Sequence, residues 1–339
     1  MCKKVIFRDM RNITILLFSL IPLTLLSQNC DSLLYESITN PGPYSVDYIT
    51  EPLGIRNGPD YSGSTIFYPL NNNIECASIV LVPGFMNTEL SIQNWGPFLA
   101  SHGIVTMTIG TNSLLDSEFQ RKDALLDAII SLKHENNRSS SPLFYRLDTA
   151  AIAVGGFSKG GGGAQLAGVD FPDLKAIIAL YPWLENPSQS DLNHNIPVII
   201  ISGQLDAIAP PALHADIHYT YTPNTTNKLK YEVALASHDN VSGPNGGFGE
   251  VGKRVFSWLQ TYLLNDSCYC PLLLNPAVTA SDYITNISCP IINQISEISF
   301  SKKKLIKIVD ILGRETKMVN QNLFYLYDDG TVEKKVIIN

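Results

Sequence analysis

The sequence predicts an α/β protein: a doubly wound, mostly parallel sheet, followed by a small all-β appendage at the C-terminal end. Three observations predict it. Between residues 45 and 263, β-type and helix-type segments alternate, the pattern of strand-helix-strand units. The central runs SIVLV, AIIAL and VIIIS are apolar throughout rather than alternating, which marks a sheet covered on both faces. After about residue 270 the composition shifts, and the last stretch reads as short strands separated by turn signals.

In chain order, strands are expected at 45–50, 64–68, 76–82, 104–109, 149–155, 174–181, 197–203 and 229–235. Helices are expected at 92–101, 118–134, 159–168, 211–219 and 249–263. Residues 271–300 carry no clear helical period. Beyond them come SKKKLIKIVDILGRETK and LFYLYDDGTVEKKVIIN, whose turn signals sit at Leu312-Gly313 and Asp328-Asp329-Gly330. The expected organisation is therefore a signal peptide over 1–27, one catalytic domain over 28–290, and a β-rich domain over 291–339.

The chain has 339 residues, 45% of them hydrophobic and 16% charged. That is ordinary globular composition and allows a sizeable core. The net charge is −7 with no long basic run in mid-chain, so nucleic acid and anionic membrane surfaces are excluded as partners. At the N-terminus, Lys3, Lys4, Arg8 and Arg11 precede the apolar stretch Ile13 to Leu26, and Ser27-Gln28 is a plausible cut point. The run is shorter than the ~20 residues a membrane span needs, so it reads as a cleaved export signal with no stable span. The small residues of a lipoprotein processing site before Cys30 are missing.

Export permits disulfides. Once Cys2 leaves with the signal, Cys30, Cys76, Cys268, Cys270 and Cys289 remain, an odd number. Cys76 opens the apolar strand CASIVLV and reads as a small buried hydrophobe. One of Cys268 and Cys270 is expected to pair with Cys289, closing the end of the catalytic domain, and Cys30 to take the other. The C-x-C has no histidine near it in sequence, so neither metal nor cofactor is called for.

The chemistry is carried by residues 151–165, AIAVGGFSKGGGGAQ. A β-run of small residues breaks into Gly156-Phe157-Ser158-Lys159-Gly160, the G-x-S-x-G turn between strand and helix that is the nucleophile elbow of α/β-hydrolases. Glycines on either side let strand and helix approach closely. Ser158 then stands at a helix N-terminus, where developing negative charge is favoured.

A serine hydroxyl needs a base, and the base an orienting acid, here in the order Ser, acid, His. Of the histidines after Ser158, His238 follows the strand-like KYEVAL, whereas His214 and His218 lie four apart on one expected helix and read as a partly buried face. Asp206 follows the apolar strand IPVIIISG and fits better than Asp170, Asp191 or Asp216. The oxyanion needs two backbone donors. These are the N–H of Lys159 and, from the loop Val82-Pro83-Gly84-Phe85, the N–H of Phe85.

VPGF, SIQNWGPFLASHGIVTMTIGTNSLLD, the elbow GFSKGGGGAQLA, YPW at 181–183, LDAIAP at 205–210 and SHDN at 237–240 occur in one order. Over roughly residues 40–265 they resemble the bacterial cutinase and poly(ethylene terephthalate) hydrolase family, the PETase-like enzymes. The resemblance implies a secreted serine esterase acting on a polyester or a small ester, with Ser158, Asp206 and His238 as triad, and Phe85 and Lys159 at the oxyanion. It also implies that Trp183 packs on the substrate, that Ile208 forms an apolar wall with Phe85, and that His214 stands behind Trp183. The family usually has Tyr where Phe85 stands, Met where Lys159 stands, and His or Trp where Phe157 stands. A cation at position 159 would favour polar or anionic substrate ends, unless its stem packs down and the ammonium reaches water.

The tail KLIKIVDILGRETK…LFYLYDDGTVEKKVIIN resembles the C-terminal sorting domain of type IX secretion substrates from Bacteroidetes. The resemblance implies that the type IX secretion machinery is a partner and that the destination is the cell surface or exterior by way of the periplasm. A monomer is expected. Competing readings are a small-ester or lipid acyl esterase on the same fold, and a non-catalytic surface binding protein on a degenerate scaffold. A dienelactone-hydrolase-like enzyme would have Cys in place of Ser158.

Overall fold

The structure, a computed structural model, describes residues 30, 34–72, 74–241, 243–289, 305–310, 313–316, 322–327 and 332–336. The expected signal segment 1–27 and the turn at Asp328-Asp329-Gly330 lie outside the described residues. The chain divides into two compact units, one spanning residues 29–292 and the other containing the C-terminal strands.

In the larger unit nine strands form one sheet among the described residues, in the order β1-β2-β4-β3-β5-β6-β7-β8-β9. They are β1 (Val46–Thr50), β2 (Ser64–Pro69), β3 (Cys76–Val82), β4 (Val105–Ile109), β5 (Leu147–Phe157), β6 (Ala176–Leu180), β7 (Val198–Gly203), β8 (Lys228–Val233) and β9 (Ala280–Thr285). β3 through β8 pair in parallel; β1, β2 and β9 add antiparallel edges. The expected doubly wound, mostly parallel α/β-hydrolase sheet is therefore present.

β3, β6 and β7 are buried at every position, which is why their sequences do not alternate. Helices α1 (Trp95–Ser101) and α5 (Glu250–Tyr262) cover one face. Helices α2 (Glu118–Asn137), α3 (Lys159–Asp170) and α4 (Ala215–Tyr221) cover the other. α2 opens on a capping box: the Ser117 hydroxyl accepts from the Gln120 N–H, and the Gln120 side chain accepts from the Ser117 N–H. Two of the first turn's free donors are thereby satisfied and its start is fixed.

β9 was not expected from the sequence. ASDYIT is half polar and never fully buried, because an edge strand paired on one side needs no continuous apolar face. It places residues 280–285, within the stretch that read as irregular, in the main sheet. Two disulfides tie the same region, Cys270–Cys289 and Cys30–Cys268, and Cys76 is free and buried. Among the described residues no helix is long and apolar enough to cross a membrane.

The smaller unit holds an antiparallel three-stranded sheet, β10 (Leu305–Val309), β11 (Asn322–Tyr327) and β12 (Val332–Val336), in that order. The Arg314 guanidinium pairs with Asp310 at 2.8 Å across the turn that holds Gly313 in the left-handed region, φ 77°.

Candidate active site

Strand order reverses at β3, since β4 lies on one side of it and β5 on the other. Ligands of open α/β sheets bind beyond the carboxyl ends of the strands at such a point. In register, Val82 at the end of β3 sits opposite Gly156 of β5, and Phe157 opposite Leu180 of β6. The loop 83–86, Ser158 and the loop after β6 therefore leave the sheet side by side.

Ser158 occupies φ 57°, ψ −121°, a conformation costing about 1–3 kcal/mol for a residue with a Cβ. The surrounding backbone holds it there. Its N–H donates to Leu180 O at 2.8 Å, and its carbonyl accepts from the N–H groups of Trp183 at 2.9 Å and Gly162 at 3.1 Å. Met86 and Tyr181 also have positive φ, 58° and 49°, so each of the three neighbouring exits carries one strained residue. The four glycines after Lys159 are required by contact. A Cβ on Gly160 would lie 2.5 Å from Val82 O, and one on Gly163 would lie 2.8 Å from Glu118 O. These glycines bring α3 against the 82–85 loop and against α2.

Asp206, three residues past β7's last pairing with β8 at Gly203, is buried, and its Oδ2 faces His238 Nδ1 at 2.7 Å. Its Oδ1 accepts from the N–H groups of Ile208 at 2.9 Å and Ala209 at 2.7 Å. Burial pushes this carboxyl up. The hydrogen bond from His238, the Ala209 amide, the His238 charge and the Ile208 amide together outweigh it and leave the group below the usual carboxylate value. An ionised Asp206 fixes the imidazole with its Nδ1 protonated and Nε2 free to accept. The His238 ring packs against Phe157, the residue before the serine, at 4.9 Å between centroids, and edge-on to Tyr181 at 5.8 Å. The Tyr181 hydroxyl is buried with no hydrogen-bond partner among the described residues. Burial, with the Asp206 charge, pushes its acidity well out of the working range.

The walls are apolar. Phe85 is 44% exposed and Ile208 56% exposed. Trp183 stacks on His214 at 4.1 Å with 26° between planes. Burial chiefly pushes the His214 pKa below its ordinary value, so a flat neutral imidazole backs the indole at neutral pH. The other expected face residue, His218, is fully buried and hydrogen-bonded to Gln165.

Every candidate named from the sequence, Phe85, Ser158, Lys159, Trp183, Asp206, Ile208 and His238, comes off the carboxyl end of a strand in this one cluster. A family model described as PET hydrolase-like (PETase) matches residues 36–290. The chain belongs to the PET hydrolase-like family. It is 37% identical over 243 residues to Cutinase 1 of Thermobifida cellulosilytica, covering 72% of this chain and 87% of that protein. It is 37% identical over 243 residues to a cutinase of Thermobifida fusca (strain YX), covering 72% and 76%. To the bis(hydroxyethyl) terephthalate hydrolase of Streptomyces coelicolor it is 34% identical over 255 residues, covering 74% and 77%.

In this PET hydrolase-like chain the Lys159 side chain has partners that the sequence did not disclose. Its ammonium lies over the Phe85 ring, 5.0 Å from the centroid, and 3.5 Å from the buried Glu118 carboxylate. Sequence reasoning singled out neither Glu118 nor Arg121, two charged residues that are buried at the start of α2. Charges in the first turn of a helix read as a solvated face, and the only available hint was a carboxylate at a helix N-terminus, where it is ordinary.

Proposed function

We propose that the protein is a secreted serine esterase of cutinase or polyester-hydrolase type that cleaves aromatic polyesters through Ser158, His238 and Asp206. The observation that carries it is the His238–Asp206 pair at 2.7 Å packed against the residue preceding a strained elbow serine. Membership of the family, with relatives named as cutinases and as a bis(hydroxyethyl) terephthalate hydrolase, makes the chain a carboxylic ester hydrolase.

His238 Nε2 takes the proton of Ser158 as Oγ attacks the ester carbonyl. Asp206 stabilises the imidazolium that forms. The N–H groups of Phe85 and Lys159 receive the oxyanion, each worth ~3–4 kcal/mol of transition-state stabilisation. Collapse expels the alcohol, which leaves with the proton from His238. Water activated by the same imidazole then releases the acid and restores Ser158. Phe85, Trp183 and Ile208 hold the acyl unit, and the exposure of Phe85 and Ile208 suits a groove open to a chain rather than a closed pocket.

Two disulfides support an oxidising destination, reached by way of the signal 1–27. The catalytic domain covers 28–290, and the β-rich tail 291–339 addresses the protein to type IX secretion machinery.

The test is a fluorophosphonate label on Ser158 together with release of soluble aromatic acid from a polyester film. Stoichiometric labelling, lost in Ser158→Ala, and acid release from the film are expected. Turnover confined to short p-nitrophenyl esters would make it a small-ester esterase, and folded protein that takes no label would make it a binding protein.

A further inference from the structure

The first turn of α2 touches both sides of the proposed oxyanion site. Arg121 is fully buried, and its guanidinium donates to the Pro83 carbonyl at 3.0 Å through Nε and to the Gly84 carbonyl at 2.8 Å through Nη2. The Leu114 carbonyl accepts from the Met86 N–H at 2.9 Å and from Arg121 Nη2 at 3.4 Å. The loop bearing Phe85 is thus gripped on both sides of that residue. One turn earlier on the same helix face, the buried Glu118 accepts from the Glu185 N–H at 2.9 Å through Oε1. Glu185 lies two residues beyond Trp183. Glu118 Oε2 accepts no hydrogen bond among the described residues and lies 3.5 Å from Lys159 Nζ. Gly163 permits the approach, because a Cβ there would meet Glu118 O at 2.8 Å and Lys122 N at 3.0 Å.

A fold does not require these two charges to be buried. Taking each out of water costs several kcal/mol, which its contacts must repay. What the contacts secure is local: the chain on either side of one oxyanion donor, the side chain of the other, and the segment behind the indole. We infer that Glu118 and Arg121 are positioning residues that hold the N–H groups of Phe85 and Lys159 in register with Ser158. Lys159 is then committed to Glu118 and Phe85 and is no receptor for substrate anions. This inference rests on the ester-hydrolase reading of the same site.

The experiment compares Glu118→Gln, which keeps an acceptor for the Glu185 N–H but loses the charge, and Arg121→Lys, which can reach fewer carbonyls. Steady-state hydrolysis of p-nitrophenyl butyrate is measured alongside inhibition by phenylboronic acid, whose adduct with Ser158 places a tetrahedral anion at the oxyanion donors. A fall in kcat of about 3- to 10-fold for Glu118→Gln and about 10- to 100-fold for Arg121→Lys is expected, since a misplacement near 1 Å can cost ~100-fold. KM should stay within about two-fold, and the boronate Ki should rise by the same factor as kcat falls. Lys122→Ala, on the same turn but paired outward with Asp123 and Asp170, should leave kcat unchanged. An unchanged boronate Ki, or a rise in KM at constant kcat, overturns the inference. If Arg121→Lys does not fold, Glu118→Gln decides by the same two readings. Absence of fluorophosphonate labelling in the unmodified enzyme would instead remove the Ser158 reading on which all of this stands.

Discussion

In the proposed triad one carboxylate, Asp206, serves structure and chemistry at once. Oδ1 is spent on two amides of its own turn and Oδ2 on His238, so the loop and the imidazole are oriented by the same group. Asp206→Asn should keep the turn nearly intact but present an amide to Nδ1, favouring the wrong tautomer. A loss of kcat on the order of 10⁴ with KM little altered is expected, and a drop below ten-fold in steady-state assays would count against Asp206 as the orienting acid. Its depressed folded pKa also sets a sign: the stability it contributes is present above its unfolded value and lost as pH falls through the lower folded one. Trp183 differs in kind, since it acts by its surface. Trp183→Ala should lower acid release from film far more than turnover of p-nitrophenyl acetate, whose two-carbon acyl group carries no ring to place against the indole.

At the scale of elements, α3 illustrates competition between propensity and fit. Four consecutive glycines, Gly160 to Gly163, cost roughly 1 kcal/mol each relative to alanine in a helix, so the helix is held by what it packs on. Gly163→Ala would regain that propensity, yet its methyl would meet backbone of α2 at 2.8 Å, and backbone yields less readily than a side-chain end. The clash should win by about 1–3 kcal/mol, lowering Tm by a few degrees on a thermal scan. An unchanged or raised Tm would show that α2 can retreat without cost.

The same elements show what the sequence disclosed. β3, β6 and β7 were legible because burial on both faces demands unbroken apolar runs, and Ser158, Asp206 and His238 stood out as candidates because each comes in the stretch just after a strand-like run. β9 was not, since ASDYIT satisfies an edge with half-polar residues. The direction of the Lys159 ammonium was also hidden, because its destination, Glu118, comes from a helix about forty residues earlier and depends on how closely two helices approach.

At the scale of the whole molecule, the buried histidines predict a fold that loses stability in acid. Burial lowers His194 to about 4. Burial, then the charges of His214 and His218's other neighbour His194, lower His218 to about 3. Both folded values lie below the ordinary 6.5, so the unfolded chain binds more protons as pH drops past it. Stability is therefore full above about pH 6.5 and is lost progressively towards pH 4. A Tm that stayed flat between pH 7 and 4.5 would contradict this. The disulfides add a second control. Cys270–Cys289 closes a loop of 19 residues, worth about 3 kcal/mol in a chain-entropy account. Reduction should lower Tm by several degrees, with β9 the first strand to lose amide-exchange protection.

Cys289 has a further consequence. It lies four residues past the end of β9 and is bonded back to Cys270, so any protease cut made later in the polypeptide meets a terminus that is already covalently knotted shut. A chain cut by added protease anywhere beyond Cys289 should therefore keep β9 in the main sheet, read as unchanged amide-exchange protection over Ala280–Thr285.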